Sequence, residues 1–157
     1  MSDNSAFEFS GPERDKILVT INSQMTSWGL AFPREMSVVL HFGLNRFMEL
    51  GVTEYSVADE PDHGYSGTLM FLFDGQRVPT HHHKKKHHTL YVVKGMVRVK
   101  MGDDERAMRH GDRVTIPPDT EHSLTGLGNA LLLEVSNAAL PKDSFFKNKA
   151  IGEDGVL

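Results

Sequence analysis

The sequence predicts an all-β domain, an antiparallel sandwich or barrel, preceded by two N-terminal helices. Three observations predict it: short β-rich runs from residue 52 onward, turn residues punctuating those runs, and helical spacing of apolar residues before them. The runs are Gly67–Phe73, Thr89–Val93, Met96–Met101, Arg113–Ile116, Ser123–Leu124 and Ala130–Val135. Between them lie Asp74-Gly75, Lys94-Gly95, Gly102-Asp103-Asp104, His110-Gly111-Asp112, Pro117-Pro118-Asp119 and Gly128-Asn129. Many short strands at this spacing close into a sandwich or barrel. No helix–strand alternation accompanies them, which argues against Rossmann and TIM arrangements.

The helical extension is expected over residues 1–51. Ser10 is an N-cap candidate, Pro12 fits a first turn, and Ile17, Ile21, Met25 and Trp28 follow at helical spacing. A second helix is expected from Pro33 to Leu50, with Met36, Val39, Leu40, Gly43, Leu44 and Phe47 on one face and Gly51 as its stop. Both stripes read as core packing. The first helix, or Phe7 and Phe9, would also serve a homodimer contact. Residues 52–136 then form the barrel, and residues 137–157 a loop-like tail folding back through Phe145 and Phe146. A chain of 157 residues suffices for one such domain.

Composition excludes several classes of function. A net charge of -4 argues against broad nucleic-acid binding, and the one basic run, Lys84-Lys85-Lys86, is too local to alter that. No cysteine is present, so any metal must rest on His, Asp or Glu. Met1 to Ser10 is polar, without the apolar core of a signal peptide, and no apolar run approaches bilayer length. A soluble cytoplasmic protein is the expectation.

Nine histidines stand out, five of them between His81 and His88. A terminal tag would explain a histidine run, but this one lies mid-chain between two apolar stretches. His81 and His83, two apart in an extended strand, place both rings on one face. His88 follows the lysine run and opens the next strand, and His122 follows the Pro117-Pro118-Asp119 turn. A barrel interior can bring these segments together. One strand histidine is usually packed or solvated; four at such spacing predict one divalent transition metal. Imidazole donors suit Fe, Ni, Cu or Zn better than Mg or Ca. His82 should point away from His81 and His83, His87 should face solvent, and His41, His63 and His110 have no supporting context.

The segment from Gly75 through His81-His82-His83 and His88 to Gly95 resembles the first cupin motif. Gly111, Pro117 and His122 resemble the second. The resemblance implies the cupin double-stranded β-helix, a jelly-roll barrel. Two departures stand within it: His88 where the family usually has a glutamate ligand, and Asp119 where it usually has glycine. Gly67-Thr68-Leu69-Met70-Phe71-Leu72-Phe73-Asp74-Gly75-Gln76, Ile116-Pro117-Pro118-Asp119-Thr120-Glu121-His122 and Glu134-Val135-Ser136 further resemble the small D-lyxose-isomerase-type cupins. The lysine run before Thr89 looks like cupins attached to sugar-acid biosynthesis enzymes.

The isomerase resemblance implies a manganese-dependent aldose–ketose isomerase acting on a sugar through an enediolate. His81, His83 and His122 carry over as metal ligands, and His88 takes the position of the glutamate. Glu134 is the foremost candidate base, with Lys86 and Glu121 weaker ones, although Leu131-Leu132-Leu133 blurs the alternation and leaves Glu134 inside or outside. Gln76 either shapes its turn or bonds ligand at the rim, and Glu121 is a further candidate substrate contact. Replacing a carboxylate by a neutral imidazole leaves the ion more electrophilic and shifts preference away from manganese toward nitrogen-preferring metals. That favours a second reading, a non-haem iron dioxygenase with three or four histidine ligands. A third is a sugar-binding cupin without turnover.

Overall fold

The computed structural model describes residues 6–137 and 140–157; residues 1–5 of the polar N-terminal stretch lie outside the described residues. Helix α1 runs Gly11–Ser27, with Pro12 in its first turn. Leu18, Ile21 and Met25, three and four residues apart, are its buried stripe. It stops where Gly29 takes φ +71° and the Leu30 N–H closes on the Met25 carbonyl at 2.9 Å.

No second α-helix forms among the described residues. The stretch expected as one holds a four-residue strand, β1 (Ser37–Leu40), followed by turns. Val38 and Val39 are β-branched and pair with Glu54 and Thr53. Phe42 and Asn45 have φ of 56° and 52°, which an α-helix cannot contain. The apolar spacing is real but serves two layers instead of one helix face. Val39 and Phe47 join one core, Leu40, Phe42 and Leu44 the other, and Met36 stays 69% exposed.

The remaining strands are β2 (Val52–Glu60), β3 (Tyr65–Leu72), β4 (Arg77–His83), β5 (His88–Lys94), β6 (Met96–Met101), β7 (Asp104–Arg109), β8 (Arg113–Ile116), β9 (His122–Gly126), β10 (Ala130–Ser136) and β11 (Ser144–Phe146). One sheet has the order β1-β2-β3-β10-β5-β8, the other β11-β4-β9-β6-β7. All pairings between these strands are antiparallel. The turn from β5 to β6 requires Gly95: its φ is +78°, and a Cβ there would lie 2.2 Å from the Asn129 carbonyl oxygen. The tail folds back as strand β11 rather than as loop, adding itself to β4 through Phe145↔His82 and Phe146↔His81.

Two cores result. Between the sheets lie Val52, Leu72, Leu90, Val92, Val99, Ile116 and Leu132, with Phe146 from the tail. On the outer face of the six-stranded sheet, Phe71, Phe73 and Leu131 pack beneath Leu18, Ile21 and Met25 of α1. That sheet is covered on both faces, which is why Leu131-Leu132-Leu133 does not alternate. The first helix thus buries its stripe against its own chain. No helix of the described residues is long and apolar enough to cross a membrane.

Ile21 is fully buried at the α1–sheet contact, whereas Val19 of the same helix is 51% exposed. Ile21→Ala is expected to cost about 2–4 kcal/mol, and Val19→Ala less than about 1 kcal/mol, in thermal or urea unfolding.

Candidate metal centre

The histidines converge because of a local irregularity in β4. Val78 pairs with Leu124 and His81 with His122, so three residues of β4 span what two span on β9. This bulge puts Val78 and His81 on the inner face together, and normal alternation from there carries His83 inward. His82 faces outward, stacked on Phe145 at 5.3 Å between ring centroids. His88 enters from the opposite sheet at the start of β5, next to Ser136 of β10.

Candidate donor atoms of His81, His83 and His122 lie within 4.8 Å of one another, and all three residues are buried. The fourth ring, His88, stands 5.2 Å from His83 and 5.0 Å from His122, centroid to centroid. The Nδ1 atoms of His81, His83 and His122 lie 2.8, 3.0 and 2.8 Å from the carbonyl oxygens of Pro79, Asp143 and Thr120. A carbonyl only accepts, so Nδ1 carries the hydrogen in each and Nε2 keeps its lone pair. His88 follows the same rule, its Nδ1 lying 2.7 Å from Glu134 Oε2. Its Nε2 is buried and has no hydrogen-bond partner. A buried nitrogen lone pair without a partner, beside three imidazoles of the same tautomer, fits a divalent transition ion.

Electrostatics agree with that use. Burial, helped by neighbouring Lys86 and His88, lowers His83 to about 4. Burial also lowers His122 to about 4, outweighing its hydrogen bond to the Thr120 carbonyl. His81 is likewise pushed well below the usual imidazole range by burial and by His122 and His83. These rings are neutral near neutral pH, the form that ligates.

The lysine run and the tail are fastened together by Asp143. Its carboxylate accepts from the backbone N–H groups of Lys84, Lys85 and Lys86 at 3.1, 3.1 and 3.0 Å, while its carbonyl holds His83. Lys86 then reaches inward and forms a short ion pair with Glu134 Oε1. Despite its burial, Glu134 is held well below the usual carboxylate range by His88 and Lys86.

A cavity of about 500 Å³ opens beside the four rings. Glu54, Thr68, Lys86 and Glu134 line one part of it, and Phe42 and Phe146 another. Phe146 also stacks on His81 at 5.0 Å. Lys86 and Glu134 line the cavity with the histidines, Glu134 bonded to His88 and paired with Lys86. Gln76 and Glu121 do not line the cavity. Gln76 is fully buried, its amide bonded to the Phe73 N–H and the Phe47 carbonyl, so it braces a turn rather than a rim. Glu121 is exposed. Asp119, where the motif usually has glycine, has φ +60°, a left-handed conformation that Asp tolerates better than most residues. Its N–H donates to the His83 carbonyl at 2.7 Å.

Sequence reasoning missed Glu54 and Asp143. Glu54 is the more consequential: burial, and next the charge of Glu134, push its carboxyl up to about 7. The one sequence signal was an acid interrupting the apolar start of a β-rich run, Val52-Thr53-Glu54-Tyr55.

Residues 68–136 match the family model described as cupin domain. No curated protein matches the sequence. Among solved structures, the X-ray structure of Cellulomonas parahominis L-ribose isomerase with L-ribose is similar at a TM-score of 0.74 and 17% identity, covering 96% of this chain and 97% of that one. KdgF from Halomonas sp. is similar at a TM-score of 0.54 and 21% identity, covering 57% and 80%. TT1209 from Thermus thermophilus is similar at a TM-score of 0.51 and 24% identity, covering 55% and 83%. At these identities the likeness establishes a shared fold.

Two outcomes follow for this site. Asp143→Ala unsatisfies three backbone donors and is expected to lower stability by roughly 1–3 kcal/mol and metal affinity by about 10-fold, measured by unfolding and by calorimetric titration with Zn²⁺. Glu54 binds its proton more tightly folded than unfolded, so stability falls as pH rises from about 4.5 through about 7. Glu54→Gln should therefore raise the melting temperature relative to wild type at pH 8 and not at pH 4, as scanning calorimetry at both pH values would show.

Proposed function

Taking as premise that residues 68–136 of this chain form a cupin domain, we propose that the protein is a metal-dependent aldose–ketose isomerase acting on a small sugar. The observation that carries the proposal is the composition of one cavity. It joins four imidazoles to a wall bearing Glu54, Thr68 and Glu134, and to a second wall bearing Phe42 and Phe146. Such walls suit a polyhydroxylated carbon chain: hydroxyls meet carboxylates and side-chain oxygens, and C–H faces meet aromatic rings.

His81, His83, His88 and His122 would hold the metal through Nε2. A bound divalent ion would polarise a substrate carbonyl as a Lewis acid. The chain's own groups supply the rest. Glu134 and three backbone carbonyls orient the imidazoles. Lys86 neutralises Glu134 and lines the cavity. The isomerase likeness of the whole chain supports the sugar assignment, because it extends through the helical and tail segments outside the barrel motifs.

A second reading is favoured by one specific feature. If His88 is a ligand, the first coordination shell has four neutral donors and no carboxylate, as an iron dioxygenase can have. The two readings separate in one set of assays. Protein loaded with Mn²⁺ is incubated with pentoses, hexoses and their phosphates, and aldose–ketose interconversion is followed by chromatography. Protein loaded with Fe²⁺ is followed in an oxygen electrode with diketones, thiols and catechols. Interconversion with a flat oxygen trace is expected. An unchanged sugar panel removes the isomerase proposal, and oxygen uptake replaces it with the dioxygenase.

A further inference from the structure

Isomerisation needs a group that takes a proton from one carbon and returns it to the next. The sequence points to Glu134, but both of its oxygens are already engaged: Oε1 by Lys86 Nζ and Oε2 by His88 Nδ1. A carboxylate gripped by two donors is a weak base, and protonating it would deprive His88 of the acceptor that fixes its tautomer.

We propose that Glu54 is the proton-carrying group of this cavity, with Glu134 and Lys86 as positioning residues behind His88. This rests on the isomerase reading above. Glu54 projects from β2 into the cavity that holds the four imidazoles. Its cross-strand neighbours are Val38 of β1 and Met70 of β3, neither of which titrates. The charged groups acting on it are Glu134 of β10 and Lys86 of the β4–β5 turn, and no hydrogen bond holds its carboxyl among the described residues. A carboxyl that faces the cavity without a hydrogen bond, and with an elevated affinity for a proton, suits a group that must pick one up and hand it on.

The step balances without any oxidant or reductant. The Glu54 carboxylate takes the proton from C2 of the open-chain aldose. The C2–H electron pair becomes the C1–C2 double bond, and the C1 carbonyl pair settles on O1. The Glu54 carboxylic acid then returns its proton to C1, the O2 hydroxyl proton passes to O1, and C2=O2 forms. The product is the ketose and Glu54 is again a carboxylate.

The test uses the full chain loaded with Mn²⁺ and compares wild type with Glu54→Gln, Glu54→Asp and Glu134→Gln. Glu54→Gln is expected to lower kcat by about 10²–10⁴-fold, with metal content unchanged and KM within a few-fold, and Glu54→Asp to recover part of that loss. Glu134→Gln is expected to weaken metal binding by about 10–100-fold. Independently of turnover, NMR of metal-free protein labelled with ¹³C at glutamate carboxyls should show one resonance, absent in Glu54→Gln, titrating near 7 and moving lower in Glu134→Gln. Wild-type turnover that persists in a folded Glu54→Gln variant overturns this proposal and leaves the isomerase reading standing. A Glu54 resonance titrating in the ordinary carboxylate range also overturns it. A wild type that interconverts no sugar removes the isomerase reading and the proposal with it.

Discussion

The arrangement depends on four hydrogen bonds that fix imidazole rings by their Nδ1 atoms. Each acceptor is rigid: three are backbone carbonyls, and the fourth is a buried carboxylate. With Nδ1 tied outward, the Nε2 lone pairs are left free. An ion bound there would meet rings already ordered by folding, so the cost of ordering them would not be met again. The β4 bulge, the Asp143 clamp and the Lys86–Glu134 pair all serve this end. The bulge aims His81; the clamp supplies the acceptor for His83; the ion pair keeps Glu134 charged for His88.

His88 stands where the motif it resembles usually has a glutamate, and a carboxylate, Glu134, lies 2.7 Å from its Nδ1. Were His88 to hold an ion, negative charge would reach it through a polarised ring rather than through a direct bond. The ring would be a better donor than a free imidazole, and the shell would gain softness at the expense of charge.

Much of this was legible in the sequence, for physical reasons. Strands β3, β5, β6, β8 and β10 announce themselves because β-branched and aromatic residues sit between turn residues that leave few backbone alternatives. His81 and His83 follow from the period of a strand. The second helix was misread because Val39, Leu40, Leu44 and Phe47 recur at helical spacing while serving two separate cores. Strand β7 was not anticipated since Met108 is its single buried residue. Asp143 and Glu54 escaped notice because their importance is tertiary. Asp143 matters for donors 57 to 59 residues away, and Glu54 for a carboxylate on another strand of its sheet.

The attachment of the tail has a thermodynamic corollary. Asp143 holds the segment between His83 and His88, and Phe146 lies against His81, so the segment around β11 is tied to the histidine cluster. Were the cluster to bind an ion, binding and docking of that segment would be linked equilibria, each favouring the other by the same free energy.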